Sequence, residues 1–101
     1  MVKSQFNSNQ KEEEKIQVNM ETVKYYFTKE GGMVITYRVE TSGLLNNFYL
    51  VSFDDGSSEM AWGLGATPET ALKEAAREWD FESETEKERK ENPFREVLEK
   101  Q

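Results

Sequence analysis

The chain has no cysteine and no histidine. The first absence excludes a disulfide framework, a thiolate nucleophile and any Cys-ligated metal, and it fits a reducing compartment. The second removes the usual proton acceptor near neutral pH and the usual zinc ligand. No apolar run approaches the ~20 residues a membrane-spanning helix needs, and the opening stretch MVKSQFNSNQKEEEK lacks an apolar signal core. The expectation is a cytoplasmic chain without membrane contact. Cations are also in short supply: 13 Lys and Arg stand against 20 Asp and Glu, a net charge of −7. Because those cations are scattered, the chain lacks the basic clusters on which phosphate binding draws, and nucleic acid is not the expected partner. A negative surface suits a basic protein partner, or simply solubility.

What is present reads as one domain, since 101 residues bury too little surface to be divided. The organising segment is Trp62 to Phe81, WGLGATPETALKEAAREWDF. Thr67 is placed to cap free amides, Pro68 suits the first helical position, and Glu69 lies at the positive end of the peptide dipole. At about 100° per residue, Leu72, Ala75, Ala76 and Trp79 share one face while Lys73, Arg77 and Thr70 point away. Glu69 and Lys73 form a favourable i,i+4 pair. The alanines allow close approach to a sheet, and Trp79 plugs one end of the core.

Ahead of this helix the pattern is extended. Ile16, Val18 and Met20 alternate, then Val23, Tyr25 and Phe27 alternate in the other parity, which implies a bulge near Glu21–Thr22 or two separate strands. Met33, Ile35, Tyr37 and Val39 follow. A three-residue loop ending at Gly31 sets Phe27 opposite Met33, Tyr25 opposite Ile35 and Val23 opposite Tyr37. Residues 41–47 form a connection carrying Leu44 and Leu45. Phe48 to Phe53 is the most apolar strand, a candidate for a central position. Asp55-Gly56 reads as a two-residue hairpin turn that sets Phe53 opposite Ser58, Val51 opposite Met60 and Tyr49 opposite Trp62. Gly63 and Gly65 ease the exit from the sheet.

The predicted fold is α+β: an antiparallel four-stranded meander, β-β-β-β-α, with one helix on one face and a short C-terminal helix. Residues 1–15 read as a flexible arm, 16–81 as the α+β domain, and 82–101 as an acidic linker followed by a short amphipathic helix. Asn92-Pro93 starts that last helix, with Phe94, Val97 and Leu98 on one side, to dock within the domain, on a second copy or on a partner. A break or fraying is expected near Phe81. Tyr25, Phe27, Tyr37, Tyr49, Phe53 and Trp62 are all expected under the long helix, leaving carboxylates to face solvent. An aromatic layer open to solvent, or a segment around Leu72 packed elsewhere, would tell against an inhibitor of a protein partner and favour base stacking instead.

Catalytic patterns fail in turn. Asp54-Asp55 with Glu59 lacks the spacing to surround a cation and reads as a hairpin turn. Gly63-Leu64-Gly65 lacks the third glycine and the lysine of phosphate loops. No G-x-S-x-G occurs and no histidine activates a serine. Neither an enzyme, a cofactor nor a metal is expected.

The run FYLVSFDDGSSEMAWGLGATPETALKEAAREWDF resembles the second half of the HicB-type antitoxin module, through Tyr49, Val51, Phe53, Gly65, Thr67, Glu69, Ala71 and Leu72. It covers about a third of the chain. That family's Pro-Asp-Leu-Pro-Gly segment is replaced by Asp54-Asp55-Gly56-Ser57, and its C-terminal DNA-binding element has no counterpart. The resemblance implies a protein that neutralises a basic, nucleic-acid-handling partner of the nuclease, toxin or polymerase class. Charge alone points the same way. The carboxylates expected to meet such a partner are Asp54, Asp55 and Glu59 at the hairpin and Glu82, Glu84, Glu86 and Glu88 beyond the helix; ordinary solvated charge is the plain alternative for all of them. A competing surface for single-stranded nucleic acid comprises Lys24, Tyr26, Arg38 and Phe48. A structural subunit, dimerising through a sheet edge or residues 93–101, is the third reading.

Overall fold

A computed structural model describes residues 18–41, 47–83 and 91–100. The expectations for residues 1–17, for Leu44 and Leu45, and for the acidic stretch 84–90 lie outside the described residues. Four antiparallel strands, β1 (Val18–Phe27), β2 (Met33–Thr41), β3 (Phe48–Asp54) and β4 (Glu59–Gly65), pair in sequence order. They are followed by α1 (Pro68–Ser83) and α2 (Pro93–Glu99). The α+β meander is as the sequence predicts, and β3, with Val51 fully buried and Ser52 nearly so, occupies an interior position.

The β1–β2 hairpin follows from its turn. Thr28 N–H donates to Gly32 O and Gly31 N–H to Thr28 O, while the buried Thr28 Oγ1 accepts from Gly32 N at 2.9 Å. Gly31 holds φ +95°, a conformation that costs glycine little. Phe27 therefore faces Met33 and Tyr25 faces Ile35. Beyond them the register shifts between Thr22 and Lys24, so Tyr37 meets Thr22 rather than Val23. The parity change in the sequence is this bulge, within one continuous strand and centred one residue later than expected.

The β3–β4 turn corrects another expectation. Asp54 pairs with Glu59, Phe53 with Met60 and Ser52 with Ala61, so the loop holds the four residues between Asp54 and Glu59 rather than Asp55-Gly56 alone. Asp54 Oδ1 accepts from Gly56 N at 2.8 Å. Asp55 Oδ1 accepts from Ser57 N, Ser57 Oγ and Ser58 N at 2.9, 2.8 and 3.2 Å. These side-chain bonds stabilise a longer turn than the backbone preference of Asp-Gly by itself would select. A second register shift follows, Val51 opposite Gly63 and Tyr49 opposite Gly65, which makes Trp62 the extra residue of a bulge.

α1 begins as predicted. Thr67 Oγ1 accepts from Thr70 N at 3.1 Å, Pro68 is the first helical residue, and Lys73 Nζ lies 3.4 Å from Glu69. Ala71, Leu72, Ala75 and Ala76 are buried against the sheet, and Trp79 packs at the edge of that core. Gly63 and Gly65 do more than ease the strand's exit. A Cβ on Gly63 would fall 2.4 Å from Ala71 O, and one on Gly65 2.6 Å from Ala71 N, so the helix backbone rests directly on β4. α1 is described through Ser83, two residues past Phe81, where the sequence predicts a break or fraying, and it turns Phe81 outward, 67% exposed.

α2 completes the core. Asn92 Oδ1 accepts from Phe94 N and Arg95 N, while its Nδ2 donates to Ala76 O and Asp80 Oδ1 at 3.0 and 2.9 Å. Arg95 closes the same contact on Asp80 at 2.6 Å. Phe94 is fully buried among Phe53, Trp62 and Trp79, with ring centroids 5.9 to 6.1 Å away. Each such ring pair adds about 0.5–1.5 kcal/mol beyond area burial. The apolar side of α2 therefore docks within the chain, the first of the three sites expected for it.

Candidate functional site

In an antiparallel ladder, residues directly opposite each other project from the same face. β2 and β3 pair with Val34 beside Phe53 and Ile35 beside Ser52. That register divides the aromatic residues. Tyr26, Tyr49, Phe53 and Trp62 pack against the helix-covered core. Tyr25, Phe27 and Tyr37 project from the opposite side, so the expected single layer of six rings under α1 is corrected to two half-layers on two faces. The cause is a register set across a connection too long to fix it locally.

The face away from the helices is apolar and open. Tyr25 is 60% exposed and Phe27 is 69% exposed, and their rings meet edge to face at 5.6 Å. Val18, Met20 and Leu64 are each more than half exposed on the same side. Ile35 and Val39 are buried between them. No lysine or arginine occupies this face among the described residues; its charges are Asp54 and Glu59, at one corner.

Glu59 is committed within the sheet. Its Oε2 accepts from Ser52 Oγ at 2.6 Å and from the Tyr37 hydroxyl at 2.5 Å, joining three strands. These two donors hold the Glu59 carboxyl below the ordinary glutamate range. Burial, then the bond to Glu59, pushes the Tyr37 phenol above its ordinary value. Asp55 is also held low, first by the Ser57 backbone amide, then by the Ser57 hydroxyl and the Ser58 amide. Asp54, Asp55 and Glu59 are thus brought together at one hairpin, but as acceptors for the chain's own donors. Glu82 is exposed on α1 and shares a groove with Met60, the second residue of β4. Glu84, Glu86 and Glu88 lie outside the described residues.

The alternative set does not form a surface. Lys24, Tyr26 and Arg38 project from the helix-covered side, whereas Phe48, opposite Val39, belongs to the open one. Tyr26 packs on the core; Arg38 is held 2.6 Å from Glu21 and 3.3 Å from Glu40. Lys24 lines a cleft with Thr67, Glu69 and Leu72. The signal that finds the open face was present in the sequence, as the alternation Tyr25, Phe27, Met33, Ile35, Tyr37; which side α1 would cover was not.

A groove of about 600 Å³ flanks β4, with Met60, Trp62 and Leu64 on one wall and Glu74, Glu78 and Glu82 on the other. Among the described residues no cluster of three potential metal ligands occurs, and no helix is long and apolar enough to cross a membrane. Comparison with protein-family models, with curated proteins and with solved structures returned no match.

Proposed function

We propose that this chain is a non-catalytic protein-binding module that docks through the open face of its sheet onto a basic protein partner. An inhibitor- or antitoxin-like protein that neutralises a nucleic-acid-handling target would work in this way. The observation that carries the reading is the exposure of Tyr25 and Phe27 on a face that holds no described cation. Contiguous apolar surface of this kind marks interaction sites in soluble domains. The charge of −7 favours a partner of opposite sign, through encounter rate and exclusion of wrong partners more than through raw affinity. The three rings on this face, Tyr25, Phe27 and Tyr37, are half of the open layer that would favour base stacking. But stacking also needs cations around the rings to hold the phosphates. Here the charges on the face are acidic.

Two measurements test this. Immobilised wild-type chain and a Tyr25→Ser/Phe27→Ser variant are each exposed to host lysate, and the retained proteins are compared. A basic protein held by the wild type and lost by the variant is expected. Titration with single-stranded RNA is expected to show no binding; affinity that falls steeply with salt would replace this reading with nucleic-acid recognition.

A further inference from the structure

β4 ends the sheet, and no strand pairs with its outer edge among the described residues. Edge strands are commonly guarded by lysine or proline, and Glu59–Gly65 contains neither; its one irregularity is the bulge at Trp62. α1 runs back along this strand. Gly65 meets Thr70 and Ala71, whereas Gly63 meets Ala71 and Ala75, so chain order on the helix opposes chain order on β4. Glu74, Glu78 and Glu82 therefore form a row beside the edge, across the groove from Met60 and Trp62. Carboxylates four residues apart on a helix repeat every ~6 Å, and same-side residues of an extended chain repeat every ~7 Å. The two spacings agree over the length of the row.

We propose that the β4 edge accepts an extended segment of a protein partner as a fifth strand, one that alternates Lys or Arg with apolar residues. Its basic side chains lie on the α1 side and meet the glutamate row. Its apolar side chains lie on the other side, beside Leu64 and Ala61, and extend the open face. Backbone pairing supplies affinity and the alternation supplies selectivity. Glu74 already shares an exposed ion pair with Arg77 at 2.8 Å, a contact weak enough to exchange for a partner's cation. This edge site lies beyond the open-face reading and can fail while that reading stands.

The test uses the full chain and a synthetic peptide alternating lysine with valine. Hydrogen exchange at Met60–Leu64 amides is expected to slow on binding. Glu78→Lys with Glu82→Lys should weaken Kd about tenfold or more, as loss of interfacial charge pairs does. Tyr25→Ser/Phe27→Ser should leave the affinity for this peptide unchanged. Three outcomes with peptide overturn the proposal: no binding, equal binding of a peptide alternating glutamate with valine, or perturbation confined to the Tyr25–Phe27 face. Protection of β4 that rises with protein concentration without peptide also overturns it, by assigning the edge to a second copy.

Discussion

Gly63 and Ala75 lie backbone against backbone: a Cβ on Gly63 would stand 2.5 Å from the Ala75 amide nitrogen and 2.9 Å from its Cα. Neither atom can rotate away, because both belong to the helix backbone. Gly63→Ala must therefore push α1 off β4 or distort the strand. Overpacking of this kind costs about 1–3 kcal/mol, and a backbone neighbour places it at the upper end. For a domain of this size each kcal/mol lowers Tm by about 4–8 °C, so thermal unfolding of Gly63→Ala should begin well below wild type.

Phe94 ties the last helix to the aromatic cluster. Its truncation to alanine opens a cavity beside Phe53, Trp62 and Trp79 and is expected to cost about 3–5 kcal/mol in denaturant unfolding. Both tryptophans border that cavity, so their emission should change in the folded baseline as well. Asn92→Ala removes the cap of α2 and the bond to Ala76, and a smaller loss of about 1–2 kcal/mol is expected.

Glu59 makes stability depend on pH. Its folded carboxyl is held below the ordinary value, so its contribution is present above the unfolded pKa and disappears as pH falls through the folded one. The unfolded chain takes up its proton first, near pH ~4.3. Glu59→Gln keeps an acceptor for Ser52 and Tyr37 but cannot titrate. Urea midpoints measured from neutral pH downward should therefore fall less steeply in this variant than in wild type. Tyr37 acts in the opposite direction: its raised folded pKa contributes stability that is lost as pH climbs above the ordinary tyrosine range.

The two sides of the sheet should respond differently to the same chemistry. Phe53→Ala, partly buried beneath the helices, is expected to cost about 3 kcal/mol, the lower end of the range for a core phenylalanine. Tyr25→Ser and Phe27→Ser alter rings already exposed and lose mainly their mutual contact, worth about 0.5–1.5 kcal/mol. Chemical denaturation of the single variants checks this directly. A large loss from Phe27→Ser would mean that the open face is covered in the folded chain.

Much of the fold was legible locally. Thr67, Pro68 and the spacing of Leu72, Ala75 and Ala76 specify α1 because capping and helical periodicity act within a few residues. The Lys29-Glu30-Gly31 turn set Phe27 against Met33 for the same reason. The amino-acid sequence thus determined the elements, their order and the acidic, cysteine-free surface chemistry. Tertiary structure decided which face of the first hairpin α1 would leave open. Periodicity assigns residues to alternate sides without saying which side is buried, and a one-residue step in the β2–β3 register exchanges them. The bulge at Trp62 and the seating of Phe94 between two tryptophans depend likewise on contacts distant in sequence, which local pattern does not encode.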